Sequence, residues 1–144
     1  MSGIKTSARN LFKGTVKNVN MGAVNAEIIL DIGGRDIVAI ITNESAKSLN
    51  LKEGSPAYAM IKASWVILTE GSGGLKVSAR NCLTGKVEKI VKGAVNSEVV
   101  LDVNADTKLV AIITNTSVDN LGLTVGGQAG ALIKASHVIV AVDA

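Results

Sequence analysis

The sequence predicts an all-β protein with short helices, built as two tandem five-stranded barrels, and three observations lead there. The chain repeats itself, its apolar residues alternate with a period of two, and each copy reads strand, strand, strand, helix, strand, strand. The repeat is the strongest of these signals. At an offset of 71, Lys5, Ser7, Ala8, Arg9, Asn10, Gly14 and Val16 recur as Lys76, Ser78, Ala79, Arg80, Asn81, Gly85 and Val87. The stretch "GAVNAEIILD" at 22–31 returns as "GAVNSEVVLD" at 93–102. After one inserted residue, "VAIITN" (38–43) returns at 110–115 and "IKAS" (61–64) returns at 133–136. The expected domains are therefore 1–70 and 71–144, joined through "EGSGG" at 70–74, whose composition is that of a flexible linker.

Within a copy, a first strand spans about 5–20 and bends near Gly14. Residues 24–32 alternate Val24, Ala26, Ile28, Leu30 and Ile32 with Asn25, Glu27, Ile29 and Asp31, the period of a strand. "GGRD" (33–36) supplies a tight turn because glycine tolerates positive φ, and "DIVAIIT" forms the returning strand. Asn43 is placed to cap a short helix over "ESAKSLN" that ends near Gly54. "AYAMIKA" and "WVILT" supply the last two strands. This order is that of the OB-like five-stranded barrel. A barrel of about 65–70 residues buries a thin core. Strands such as "DIVAIIT" and "EVVLDV" are nevertheless apolar on both faces, so the spare surface calls for a sister unit or another subunit.

Composition bounds the function. The 144 residues are 47% hydrophobic and 19% charged, with mean hydropathy +0.37, too apolar for a disordered chain. A net charge of +3 is spread evenly, with eight basic and six acidic groups in 1–70 against seven and six in 71–144, and no basic tail. Charge alone does not indicate nucleic acid. One cysteine, Cys82, cannot form an internal disulfide; it stands where the first copy has Leu11 and reads as a small core residue. The N-terminus lacks the apolar stretch of a signal peptide, and no apolar run reaches the roughly 18 residues of a membrane helix. The expectation is a soluble, cytoplasmic protein.

The repeated polar residues carry the chemistry. Ser7 and Arg9, two apart on a strand, share a face, as do Lys62 and Ser64. Ala8 and Ala63 lie between them, small enough for a ligand to approach backbone N–H groups. Hydroxyl, guanidinium, ammonium and amide donors, with no carboxylate or histidine among them, suit a tetrahedral oxyanion. The plainer reading is a set of solvated strand-face charges, and the residues alone leave both open. "GAVN" (22–25 and 93–96) either presents successive N–H groups to an anion or is simply a turn. Thr42 and Ser45 read as helix-capping hydroxyls. Glu27, Asp31, Glu98 and Asp102 read as exposed-face residues. His137, the only histidine, replaces Trp65 of the first copy, no metal-ligand spacing of Cys and His occurs, and "GLTVGGQAG" lacks a phosphate-loop signature, so no enzyme activity is expected.

Taken together, "SARN", "GAVNAE"/"GAVNSE", "VAIITNES"/"VAIITNTS" and "IKASWV"/"IKASHV" resemble the molybdate-binding Mop domains of the molbindin family, in the tandem di-Mop form related to TOBE domains. The match covers roughly 5–69 and 76–142. The resemblance implies intracellular binding of molybdate, with tungstate as the alternative ligand, for storage or homeostasis and without a catalytic cofactor. It implies six Mop units per assembly, hence a homotrimer. It implies pockets where the SARN segment of one unit meets the Lys-Ala-Ser segment of another: Ser7, Ala8, Arg9, Asn10, Lys62, Ala63 and Ser64, with Ser78, Ala79, Arg80, Asn81, Lys134, Ala135 and Ser136. A second class, near a threefold axis, implies Gly22, Ala23, Val24 and Asn25 with Gly93, Ala94, Val95 and Asn96. No side chain is expected to coordinate the metal directly. The sequence contains neither a DNA-binding helix pair nor an ATP-binding domain, so a complete regulator or transporter ATPase is not expected. The rival is an OB-type nucleic-acid-binding protein. It is disfavoured because base stacking needs aromatic platforms and the chain has one Phe, one Tyr and one Trp.

Overall fold

The computed structural model describes residues 5–71, 76–104 and 107–144. Most of the expected linker and the inserted residue of the turn at 104–107 lie outside these. The first copy forms β1 (Asn10–Met21), β2 (Asn25–Asp31), β3 (Asp36–Thr42), α1 (Asn43–Ser48), β4 (Pro56–Ile61) and β5 (Ile67–Glu70). The second forms β6 (Asn81–Lys92), β7 (Asn96–Asn104), β8 (Thr107–Thr114), α2 (Asn115–Leu121), β9 (Gln128–Ile133) and β10 (Ile139–Ala141). Single 3-10 turns, Ala63–Trp65 and Ala135–His137, precede β5 and β10. The expected element order holds, and the protein is mostly β in two curled five-stranded sheets.

The sheets do not follow the repeat. One has the order β10-β4-β1-β2-β3 and the other β5-β9-β6-β7-β8. Each copy lends its last strand to the sheet of the other. The compact units are accordingly Met1–Ile61 with Lys134–Ala144, and Lys62–Ile133. The division expected at 70/71 is thus a boundary of the repeat and not of the folded units. In "KASWV" (62–66) and "KASHV" (134–138) a single 3-10 turn is flanked by extended residues on both sides, and it carries the chain from β4 and β9 onward into the other sheet. In the first unit the 3-10 turn at 135–137 packs on β3, bringing the two edges of the curled sheet together. The turn at 63–65 packs on β8 in the same way in the second unit.

The cores follow the period-two pattern. Along β2, Ala26, Ile28 and Leu30 are buried while Glu27, Ile29 and Asp31 are half-buried; along β7, Ser97, Val99, Leu101 and Val103 are buried. The surplus apolar face expected from sequence is seen on β3, where Val38 and Ile40 are half-buried, whereas on β2 Ile29 stands between the charged Glu27 and Asp31. Asp31 accepts a hydrogen bond from Gly34 N–H (2.8 Å) in the β2–β3 turn, where Gly33 and Gly34 take φ of 87° and 93°. That turn is the glycine-dependent one the sequence indicated.

The first strand begins at Asn10 rather than near residue 5, and its irregularity falls between Val16 and Asn18 as a register shift against β2. Gly14 matters for a different reason: a Cβ there would collide with the carbonyl oxygen of Asp31, and one at Gly85 would lie 2.6 Å from that of Asp102. Both obstacles are backbone and cannot swing aside. Gly14→Ala and Gly85→Ala should each lower stability by about 1–3 kcal/mol, read as a shift in urea midpoint at constant slope. An unmoved midpoint would remove this steric account.

The helix is capped one residue earlier than expected. Thr42 is the N-cap, its hydroxyl accepting from Ser45 N–H, and Thr114 does the same with Ser117. This agrees with a capping role for Thr42 and Ser45, and it frees the Asn43 side chain for another task. α1 ends at Ser48, well before Gly54, with Asn50 at φ 53°; Gly122 follows α2 directly at φ 65°.

Candidate functional site

Strand register brings the repeated donors together. β1 and β10 both pair antiparallel with β4, and both begin at its C-terminal end, through Asn10↔Ile61 and Ile139↔Met60. The segments preceding them, Ser7–Arg9 and Lys134–Ser136, therefore flank the same end of β4. In the second unit Asn81↔Ile133 and Ile67↔Leu132 place Ser78–Arg80 and Lys62–Ser64 at the C-terminal end of β9. Within each unit, the SARN of one copy thus keeps company with the Lys-Ala-Ser of the other.

Neither segment is the strand expected from sequence. Ser7–Arg9 and Ser78–Arg80 are bent chain ahead of β1 and β6, and Lys62 and Lys134 are extended residues leading into 3-10 turns. The difference has a chemical consequence, because the first N–H groups of a helical turn have no partner within it. Those at 63–64 and 135–136 are donors on offer. Ser7, Ser64, Ser78, Ser136, Lys62 and Lys134 are all exposed. Among the described residues the four serine hydroxyls and Lys134 make no hydrogen bond or ion pair, and Lys62 has only the face of Trp65, 5.2 Å from ammonium to ring centroid. Arg9 and Arg80 are exposed at the same strand ends. Ala63 and Ala135 are buried, fixing the turns, while Ala8 is half-buried with its N–H given to Thr6 Oγ1 at 3.1 Å.

Asn10 and Asn81 differ from the other residues of these segments in being buried. They are 1% and 2% exposed, and Asn10 Nδ2 donates to the carbonyl of Ile61 at 3.2 Å. Asn10 thereby anchors the start of β1 to the strand that leads into Lys62–Ser64, and Asn81 is buried at the matching place, opposite Ile133 at the head of β6. A buried polar residue in both copies was the sequence's available hint.

The GAVN loops sit apart from these ends, before β2 and β7. Gly22 N–H donates to Asn25 O and Gly93 N–H to Asn96 O, each at 2.8 Å, closing a tight loop. The N–H groups of Ala23, Val24, Ala94 and Val95 make no hydrogen bond among the described residues. Val24 and Val95 are 71% and 70% exposed, large apolar side chains with nothing over them. Successive free N–H groups and a bare valine are more than a turn requires.

One further reading changes. Cys82 is exposed, its thiol 3.6 Å from the Ala79 carbonyl, so it is not a core residue. It lies on the outward side of a strand whose register the buried Asn81 sets. Tyr58 is 3% exposed and its hydroxyl donates to Asp143 Oδ1 (3.1 Å), which removes it as a stacking surface for bases. Among the described residues no cluster of three or more His, Cys, Asp or Glu is disposed to hold a metal ion, and no helix is long and apolar enough to cross a membrane.

A model of the TOBE domain matches residues 6–68 and 77–140. The chain belongs to the TOBE-domain family. It carries two TOBE domains in tandem, as the di-Mop resemblance implies. Its relatives include the molybdenum-pterin-binding protein MopA of Rhodobacter capsulatus, 45% identical over 139 residues that cover 96% of this chain and 52% of MopA. The molybdenum transport protein ModE of Herbaspirillum seropedicae is 41% identical over 141 residues, covering 97% of this chain and 52% of ModE. The chain thus spans about half the length of the curated relatives it matches. Among solved structures, the cytoplasmic molybdate-binding protein ModG with molybdate bound is 48% identical, with TM-score 0.93, over 97% of this TOBE-domain chain and 100% of that one.

Proposed function

We propose that this tandem TOBE chain binds molybdate, with tungstate as the near-isosteric alternative, as a non-catalytic cytoplasmic store or buffer. The observation that carries the reading is its likeness to molybdate-bound ModG over the whole of that chain at 48% identity. The chemistry supports it. The ends of β4 and β9 gather exposed serine hydroxyls, Lys, Arg and turn N–H groups with no carboxylate in either segment. Such a set neutralises a dianion and meets its oxygens with donors alone. Ser7, Ala8, Arg9, Lys134, Ala135 and Ser136 would serve one site, and Ser78, Ala79, Arg80, Lys62, Ala63 and Ser64 the other, with Asn10 and Asn81 holding the segments. The GAVN loops would serve a second class through their free N–H groups.

Assembly completes the reading. Val24, Val95, Ile67 and Ile139 are large apolar residues at 71%, 70%, 55% and 44% exposure. Their exposure supports association of chains, and a homotrimer of six Mop units is the form we propose.

Selectivity tests the donor-only chemistry. Phosphate near neutral pH keeps a proton, and a P–OH facing donors is left unsatisfied. Sulfate is unprotonated but smaller than molybdate. Titration calorimetry of the whole chain should show molybdate and tungstate bound far more tightly than sulfate, with phosphate weakest. Absence of molybdate uptake would refute the function, and displacement of molybdate by equal phosphate would refute the donor-only site.

A further inference from the structure

The two GAVN loops are held by the same hydrogen bonds except for one. In the first copy Asn43 Nδ2 donates to Gly22 O (2.9 Å), and Asn43 backbone N–H donates to Val24 O (2.9 Å). In the second copy Asn115 Nδ2 donates to Gly93 O (3.0 Å), and its backbone N–H to Val95 O (2.8 Å). Each asparagine thus clamps its loop at two carbonyls, and the N–H groups of Ala23, Val24, Ala94 and Val95 make no hydrogen bond among the described residues.

What remains is the asparagine's own acceptor. Asn115 Oδ1 receives a hydrogen bond from the hydroxyl of Ser97, itself 1% exposed at the head of β7. The first copy has Ala26 at that place, also 1% exposed, and Asn43 Oδ1 is buried with no hydrogen-bond partner. A buried acceptor left empty costs free energy that is recovered when the loop opens and water reaches it. The amide cannot simply turn over, since that would set its acceptor oxygen against the Gly22 carbonyl.

We propose that Asn43 and Asn115 are positioning residues for the two loops, and that Ser97 makes the loop at 93–96 the more ordered and tighter oxyanion site. The loop at 22–25, lacking that hydroxyl, is the looser and weaker one. This rests on the reading that the GAVN loops take molybdate. Its cause is pre-organisation: N–H groups already fixed lose less freedom when an anion arrives. The two halves of the chain are then unequal by design of one side chain, giving two steps of loading rather than one.

The test uses the full chain and two reciprocal substitutions, Ser97→Ala and Ala26→Ser, each a change of one oxygen atom. Without ligand, the Gly22 amide should exchange with solvent about tenfold faster than the Gly93 amide. Ser97→Ala should raise the Gly93 rate toward that of Gly22, and Ala26→Ser should slow Gly22. Equal rates in the unaltered chain, or rates indifferent to both substitutions, overturn the proposal. With sodium molybdate, Ser97→Ala should weaken part of the complement by about three- to tenfold, and Ala26→Ser should tighten another part. If the unaltered chain takes up no molybdate, the functional reading fails, and amide exchange alone still decides whether the loops differ. If it takes up molybdate and both variants titrate identically to it, the functional reading stands and this inference falls.

Discussion

Replacing Lys62 and Lys134 together by alanine should weaken molybdate binding by about tenfold to a hundredfold at each affected site while leaving the fold intact. A charge-assisted hydrogen bond contributes roughly 1.5–3 kcal/mol, which converts to that range. Both side chains are exposed, so little packing is lost. Among the described residues, the charged-group contact that disappears is Lys62 over Trp65, at 5.2 Å. An exposed cation–π pair is worth about 0.5–1 kcal/mol, so Lys62→Ala should cost slightly more stability than Lys134→Ala, whose copy has His137 in the place of Trp65. Arg9→Ala with Arg80→Ala should match the lysine effect on affinity. Titration calorimetry with parallel sedimentation checks all of this. A double lysine variant that binds its full complement with unchanged affinity would overturn the assignment of these strand ends. Loss of only part of the complement would instead identify the rest with the GAVN loops.

That prediction rests on residues the sequence made visible and on geometry it did not. The repeat exposed Ser7, Arg9, Lys62 and Ser64 as a recurring donor set, because exposed side chains retained in both copies stand out against the alternating core. Their secondary structure is not legible, since "KTSAR" and "IKAS" contain no Gly or Pro and the weaker turn preference of Ser does not mark where the strand stops. The bend before Asn10 comes from burying its amide against Ile61, a tertiary contact. Cys82 shows the same limit: occupying Leu11's place in the repeat did not make it buried. Strands β2 and β3 were legible almost to the residue because one face of each is fully apolar, and the repeat carries that reading over to β7 and β8. The empty acceptor on Asn43 was not legible at all. It depends on which side of Asn43 faces residue 26, and the exchange of Ser for Ala looks like an ordinary small-residue difference.

Strand exchange was the largest feature hidden from sequence, and it makes the second strong prediction. Val140 belongs to the second copy, yet it is 8% exposed in the sheet formed by β1–β4. Leu68 stands at the equivalent place in the first copy, 7% exposed in the sheet formed by β6–β9. A carboxylate buried without a partner costs about 3–5 kcal/mol, against about 5–15 kcal/mol for the whole stability of a domain. Val140→Asp should therefore loosen residues 10–61, far away in sequence, and leave 81–133 protected. Leu68→Asp should do the reverse. Had each copy folded on itself, the two outcomes would be interchanged, so the pair of variants discriminates between the arrangements without depending on the absolute loss. Amide exchange resolved by peptide reads the result directly. Tyr58 gives a second reporter, because its hydroxyl is tied to Asp143 at 3.1 Å, just past β10. Its signal should change in Val140→Asp and stay constant in Leu68→Asp. Loss of protection confined to β6–β9 in Val140→Asp would show that β10 does not close the first sheet. The bearing on function is immediate. The exchanged strands are what carry Lys134–Ser136 to the end of β4 and Lys62–Ser64 to the end of β9. Val140→Asp should therefore disturb molybdate binding at the Ser7–Arg9 site while the Ser78–Arg80 site still fills.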